Sequence, residues 1–361
     1  MTAARPLRFG VIGTSGHATR IAAPTLAVSP EAVLLGAAGS RPERSDELAK
    51  RHSLERSYAS VEALLGDPDV DAVWICSPNH LHSGHVGRCA AAGKHVLVEK
   101  PLATSVRDAD AAIEAAGRAG VTLAVGYQHR FRPAHRRLFD LVRGGAVGAV
   151  GLVRIHRFWR WPYYEDMDPS GPPAWRRSSA ESGGWVTNDL GSHLIDLVLW
   201  LSGLPATLVG AALATQRFAV ETEDTAALLL ALGGDAIGIV ETSSANASPG
   251  SRIEIYGDAG WIRAEDTLTG EGRIVTSAGE DGRFPAPAAC EPYAAEVADF
   301  VRAVRGQPLM GAGGGDGAEV VALLEAAAKS GVRMRRASAA SPGPGSPARR
   351  PGGVANKLDG G

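Results

Sequence analysis

The sequence predicts an α/β protein in two parts. A parallel sheet covered by helices on both faces comes first, and a largely antiparallel sheet follows. Three observations carry this. Short apolar runs alternate with helical segments from residue 7 to residue 125, as βαβ units do. A glycine-bearing turn, Gly13-Thr14-Ser15-Gly16, follows the first apolar run. From residue 207 onward, strand-like runs succeed one another across glycine-containing turns, which favours antiparallel pairing.

Taken in order, residues 7–12 read as a short buried strand. Residues 18–28 read as a helix in which Pro24, lacking an N–H, either kinks the ladder or marks a late start. Residues 32–38 are strand-like by length, 44–52 a charged helix, and 61–65 a short helix ended by Gly66-Asp67-Pro68. Residues 70–76 form the third strand, 83–92 a helix closed by Gly93, and 95–98 the fourth strand. Residues 105–119 form a helix with Gly120 at its end, and 121–125 the fifth strand.

The rhythm then changes. Residues 133–143 are helical, 150–158 alternate as a strand, 160–184 are a long loop rich in Trp, Tyr and Pro, and 186–201 are a helix. Strands follow at 207–215, 225–232, 236–242, 252–256 and 261–264, and helices return at 293–305 and 317–329. From about residue 337 the composition of Ala, Ser, Pro, Gly and Arg cannot bury a core and reads as a disordered tail. The expected division is therefore 1–126, 127–336 and a tail at 337–361.

The chain has 361 residues, too many for one ordinary core and suited to two. A formal net charge of −2 leaves no bulk basic field to attract nucleic acid or anionic lipid. Cys76, Cys89 and Cys290 are odd in number and widely spaced, which argues against a disulfide framework or a zinc site. No apolar stretch approaches the ~18–20 residues of a membrane span. The N-terminal residues lack the apolar region of a signal peptide, so a cytoplasmic location is expected.

Against the pattern G-x-G-x-x-G/A, Gly13 takes the tight turn and Ala18 the helix–strand packing site. Ser15 stands where the second glycine usually lies, and Gly16 adds backbone freedom. A pyrophosphate would rest on N–H groups of Gly13, Thr14, Ser15 and Gly16 at the helix N-terminus. The second strand ends in Ala38-Gly39-Ser40-Arg41, without the acidic residue that usually holds the ribose 2′-OH of NAD. Ser40 and Arg41, with Arg44, can instead hold a 2′-phosphate, which favours NADP over NAD. The alternative is that Ser40 caps the next helix and Arg41 is solvated.

The chain resembles the Gfo/Idh/MocA oxidoreductases. The resemblance rests on Ser77-Pro78-Asn79-His80-Leu81-His82 after the third strand and on Glu99-Lys100-Pro101 after the fourth. It rests also on 127–133 and on Gly183-Gly184-Trp185 through Asp189, His193 and Asp196, with Glu223-Asp224-Thr225 and Ile253-Glu254-Ile255-Tyr256-Gly257 later. It implies an N-terminal Rossmann dinucleotide-binding domain and a C-terminal α/β domain with an open, mostly antiparallel sheet. That sheet often forms an oligomer interface in the family, so a homodimer or homotetramer is expected. It further implies hydride exchange with a sugar, cyclitol or polyol, with Ser77, Pro78, Asn79, His82, Glu99 and Lys100 beside the cofactor.

The residue types suit that chemistry. Oxidising a secondary alcohol removes a proton from oxygen and a hydride from carbon. His193 can take the proton, since imidazole titrates near neutrality. Lys100 supplies positive charge for alkoxide character or a polarised ketone. Asp189, four residues before His193, shares its helix face and can bind a substrate hydroxyl or orient the ring. Tyr127, His129 and Arg130 can line the substrate pocket, although Arg130 also fits a structural ion pair. Asp196, at i+7, either extends the site or only fixes the helix. Trp159, Trp161, Trp175 and Arg176 can face a sugar or form core and subunit contacts. Gly183-Gly184 is expected to let a ligand approach closely. His82 is expected to pack near the nicotinamide or support Asn79. Two other readings stay open: a glycosidase using NAD transiently, and a non-catalytic NADPH-binding redox sensor. No metal site is expected.

Overall fold

The computed structural model describes residues 5–14, 16–246, 250–268 and 270–335. Ser15 and the expected tail lie outside the described residues.

The first sheet is built by alternation of β1 (Leu7–Ile12), α1 (Ala23–Val28), β2 (Ala32–Ala38), α2 (Pro42–His52), β3 (Arg56–Tyr58), α3 (Val61–Leu65), β4 (Ala72–Ile75), α4 (His82–Ala91), β5 (His95–Glu99), α5 (Val106–Ala119) and β6 (Leu123–Gly126). These strands lie parallel in the order β3-β2-β1-β4-β5-β6. The order reverses between β1 and β4, so a crevice opens at the carboxyl ends of those strands, where open α/β sheets bind ligands. β3 was not expected; three residues are too few to show a period. Residues 18–22 form a wide π-type turn before α1, and Pro24 sits just inside the regular helix, consistent with its missing N–H. Ser105 caps α5, its Oγ accepting from the Asp108 N–H at 3.2 Å.

The chain continues through α6 (Pro133–Arg143), β7 (Val150–Phe158), two short turns of helix, α7 (Ala174–Arg177) and α8 (Ser179–Ser182), and α9 (Ser192–Ser202). The antiparallel run is β8 (Ala206–Thr215), β9 (Thr225–Leu232), β10 (Ala236–Ser243), β11 (Gly250–Gly257), β12 (Trp261–Glu265), β13 (Gly272–Thr276) and β14 (Asp281–Phe284). It closes with α10 (Glu291–Val304), β15 (Ala312–Gly313), α11 (Gly314–Ser330) and β16 (Val332–Arg335). The second sheet runs β14-β13-β12-β11-β7-β10-β9-β8-β16, with only β7/β10 and β8/β16 parallel.

Leu194, Ile195, Leu197, Val198 and Leu201 of α9 are all fully buried. A helix apolar on every side belongs inside, and α9 packs on β7, α6 and α11. The chain then returns to the first sheet. β15 adds an antiparallel edge to β6, α11 packs on α5, and Phe300 of α10 meets Phe9 of β1 with ring centroids 5.8 Å apart. One apolar cluster consequently runs from Val98 and Leu102 through Leu194 to Val240, joining the two sheets.

Candidate active site

The glycine turn is shaped by close backbone approach. Gly13 has φ +116°, and a Cβ there would lie 2.7 Å from the Cys76 carbonyl oxygen. No side chain fits, so β1 and β4 can meet at the crevice. Gly16, at φ +50°, has its carbonyl bonded by Arg20 N–H as the wide turn begins. Thr14 lies against Gly39, where a Cβ would meet the threonine hydroxyl at 2.5 Å. At Gly13 and Gly16 the turn carries no side chain over its backbone, which fits the close approach of a dinucleotide phosphate. At the end of β2, Ser40 and Arg41 are exposed. Ser40 does not cap α2: the cap position is Arg41, and Ser45 Oγ accepts from the Gly39 N–H instead.

Beyond β5, Lys100 reaches across to the start of the α9 segment. Its Nζ donates to the Asp189 carbonyl at 2.8 Å and to Asp189 Oδ1 at 3.0 Å. Arg176 lies on the other side, with Nη1 2.9 Å from Asp189 Oδ2. Burial would raise the Asp189 carboxyl, but Arg176 and Lys100 outweigh it and hold it below its usual range. Residues 187–191 form a wide π-type turn, not the regular helix expected from residue 186, which locally breaks the i→i−4 ladder. In this setting the Asp189 carboxylate orients Lys100 and Arg176, not His193.

His193 is the second residue of α9 and is 5% exposed. Its ring lies edge-on to Tyr127 at 6.0 Å and to His129 at 4.6 Å, between centroids. Its Nδ1 is buried without a hydrogen-bond partner among the described residues. Burial, then the charges of Lys100 and Arg157, push its pKa well below the ordinary histidine value. The ring is thus neutral near pH 7 and able to accept a proton.

Other expected residues take different places. Arg130 is engaged by the protein's own groups. Its guanidinium grips Asp196, with Nη2 at 2.6 Å from Oδ1, and reaches Asp316 at 2.9 Å and the Gly311 carbonyl at 3.3 Å. Asp196 is the buried half of this pair; burial, offset by Arg130, leaves its pKa raised to about 6. His82 is buried, and its two ring nitrogens face the Ser77 and Pro101 carbonyls at 2.8 and 2.7 Å. It braces the turns after β4 and β5, with no nitrogen left for a cofactor. Asn79 Nδ2 donates to the Ser182 carbonyl at 3.0 Å, tying Pro78-Asn79 to α8. Ser77 Oγ pairs with His85 Nδ1 at 3.0 Å. Tyr127 is fully buried beneath His193. Trp175 and Arg176 border the same small pocket as Asn79, Lys100, Asn188 and Asp189, and Arg176 lies over the Trp175 ring. Gly184 lines that pocket too, and its missing side chain also serves the protein's own contacts: a Cβ there would strike Thr187 Oγ1 at 2.6 Å and Asn188 Nδ2 at 2.8 Å.

Four contributors escaped the sequence reading. His17 Nε2 lies 2.9 Å from Glu99 Oε1, and Trp74 Nε1 donates to that oxygen at 3.2 Å. Burial would raise Glu99, but His17 and Lys100 prevail and hold it low. Glu223 accepts from the Thr187 N–H at 3.0 Å, anchoring the wide turn at 187–191. Arg157 stands beside His129. Its one visible signal is position: it follows Val153 and Ile155 at spacing two on the inward face of β7.

Residues 7–127 match the family model described as "Oxidoreductase family, NAD-binding Rossmann fold", and residues 135–263 match "GFO/IDH/MocA C-terminal domain". The chain belongs to the Gfo/Idh/MocA oxidoreductase family. Over 339 residues it is 29% identical to a myo-inositol 2-dehydrogenase of Thermotoga maritima, covering 91% of this chain and 97% of that one. Among solved structures it resembles an aldose-aldose oxidoreductase from Caulobacter crescentus, with 27% identity, TM-score 0.77, and 89% and 96% of the two chains covered. It is also similar to a levoglucosan dehydrogenase in complex with NADH, with 25% identity, TM-score 0.76, and 90% and 98% covered. This Gfo/Idh/MocA member thus carries an NAD-binding Rossmann unit, and its second sheet is the open, mostly antiparallel one that the resemblance implied.

Proposed function

We propose that this oxidoreductase interconverts a secondary alcohol and a ketone on a sugar, cyclitol or related polyol, with Lys100 and His193 at the reacting oxygen and NADP favoured over NAD. The placement of Lys100 on Asp189, four residues before His193, supports the reading. An ammonium from just beyond β5 is fixed by Asp189, and the imidazole of His193 follows on the same segment at the start of α9. The relatives that share this architecture, an inositol dehydrogenase and a levoglucosan dehydrogenase among them, act on polyols and sugars by name.

The turn at Gly13-Thr14-Gly16 would hold the cofactor phosphates, Ser40 and Arg41 the 2′-phosphate, and Glu99, with Lys100 and Pro78, the nicotinamide end. When bound, the cofactor supplies the hydride acceptor or donor. In oxidation, neutral His193 accepts the hydroxyl proton at a ring nitrogen. Lys100 stabilises the charge gathering on that oxygen, and in reduction it polarises the carbonyl. Asp189 keeps Lys100 in place against its own conformational freedom. We also infer that copies of the chain associate through the outer face of the second sheet.

The test is a cofactor-coupled screen of sugars, inositols and keto-sugars with NAD and NADP in both directions, repeated with Lys100→Ala. Loss of one oriented charge at a developing oxyanion lowers kcat by about 10²–10³-fold. NADPH binding, followed by its fluorescence, should stay within about threefold, a change of under 1 kcal/mol. Steady-state rates untouched by the substitution overturn the assignment.

A further inference from the structure

Two arginines are buried among the described residues. Arg130, only 5% exposed at its side chain, is held by Asp196 and Asp316. Arg157 is not so held. It is 6% exposed, yet it makes no ion pair among the described residues. Its Nη1 lies 3.3 Å from His129 Nε2, a neutral ring nitrogen, and its Cζ sits 4.5 Å above the Trp159 ring. Its Nε is buried with no acceptor. Unpaired buried charge is costly, and such groups are ordinarily matched by an opposite charge.

The surroundings make this worse, not better. Arg132, half-buried and also without an ion pair among the described residues, lies close enough that burial and then Arg157 pull its pKa down to about 10. His129 carries an unpartnered ring nitrogen, Nδ1, and its ring meets that of His193. Thr242, the register partner of Arg157 on β10, has a buried hydroxyl without a partner. Two guanidiniums and unpartnered polar atoms thus collect beside the proton-accepting ring; Asp189 and Glu291 act on Arg157 and Arg132 only through space, and no carboxylate among the described residues forms an ion pair with either.

We propose that Arg157, backed by Arg132, binds a carboxylate carried by the substrate, so that the protein acts on a sugar acid in preference to a neutral sugar. This rests on the reading of His193 as part of the reacting centre, because His129 joins Arg157 to that ring. The planar guanidinium fork matches a carboxylate in two parallel hydrogen bonds, and Nε with one Nη supplies such an edge. The acid group supplies the missing counter-charge, and its hydrogen bonds fix the sugar relative to Lys100 and His193.

The experiment uses the full chain with NADP(H). Glucuronate and galacturonate are compared with glucose and galactose, and glucose 6-phosphate serves as the phosphate arm. Turnover and quenching of bound NADPH fluorescence are both followed. The acids should bind and react at least about tenfold better than the neutral sugars, a preference worth about 1.4 kcal/mol. Arg157→Gln should lower kcat/KM for the acids by roughly 30- to 1,000-fold, mainly through KM, and lower it far less for the neutral sugars, so that the acid preference is lost. Arg157→Lys should restore part of the loss. Neutral sugars favoured equally in both readouts, or the phosphate favoured over the acids, overturn the proposal. If Arg157→Gln does not fold, the wild-type preference decides alone. Acid-selective quenching without turnover of any sugar would keep the carboxylate site and remove the hydride-transfer reading. Lys100-dependent turnover without acid preference would do the reverse.

Discussion

His193 shows how one residue's surroundings set its chemistry. Burial comes first and the nearby cations second, and both disfavour the imidazolium. The free enzyme's kcat/KM for oxidation should therefore stay level down to pH 6.5 and fall only below it, where a solvated histidine would already have titrated. An acid limb centred at 6.5 contradicts this. Stability follows the same sign. His129 and His135 are also depressed by burial, His135 to about 3. Below about 6.5 the unfolded chain takes up protons that the folded chain excludes, so stability is lost as pH falls from there. A melting temperature that holds constant from pH 6.5 to about 4 would show these rings to be solvated. At this scale the sequence singles out Lys100, Asp189 and His193 as candidates, and of the two partners it offers Asp189, a substrate hydroxyl or the His193 ring, the structure does not show the ring. The i,i+4 spacing paired Asp189 with His193, whereas the wide turn at 187–191 and Arg176 give the carboxylate to Lys100. Arg130 and Asp196 looked equally suited to a site, and only tertiary packing commits them to each other.

Among the elements, legibility tracked apolar length. β1, β2, α3, α6, β7 and β9 have the expected limits because long apolar or amphipathic runs end at Gly, Pro or polar turns. β3, β13, β14, β15 and β16 went unseen. They are two to five residues each and exist because an edge was available to pair with, not because their own pattern demands a strand. The turn between β2 and α2 makes a functional prediction. No acid follows β2, Ser40 is free of capping duty, and Arg41 is exposed at the first position beyond the strand end that can meet a 2′-phosphate. Arg41→Ala should weaken NADPH by about tenfold, the worth of one exposed charge-assisted contact, while NADH changes little. Equal losses for both cofactors in a fluorescence titration would place Arg41 elsewhere.

At the level of the whole molecule, the second sheet has one face too many. Its inner face carries Val153, Ile155, Leu228, Leu230 and Val240 against α9 and the core. The alternation of β9 sends Leu229 outward, opposite Ile239, and pairs Ala231 with Ile237. Leu229 and Ile237 are 42% and 46% exposed, and Val209 at the neighbouring bulge of β8 is 61% exposed. Polar pairs such as Arg154 with Glu241 flank this apolar centre at 2.9 Å. An apolar patch with a charged rim on an otherwise satisfied sheet is what an interface between copies requires, and nothing else in the described chain covers it. α11 and β16 reinforce the argument: they tie the sheet's far edge back to α5, so the face is held as a rigid plane. The chain should therefore sediment as a dimer or tetramer. Leu229→Glu combined with Ile237→Glu should shift it toward the monomer while leaving Lys100, Asp189 and His193, on the opposite side of the sheet, in place. Light scattering that shows a wild-type monomer at micromolar concentration would end the idea. A double variant that stays assembled would move the interface to another surface.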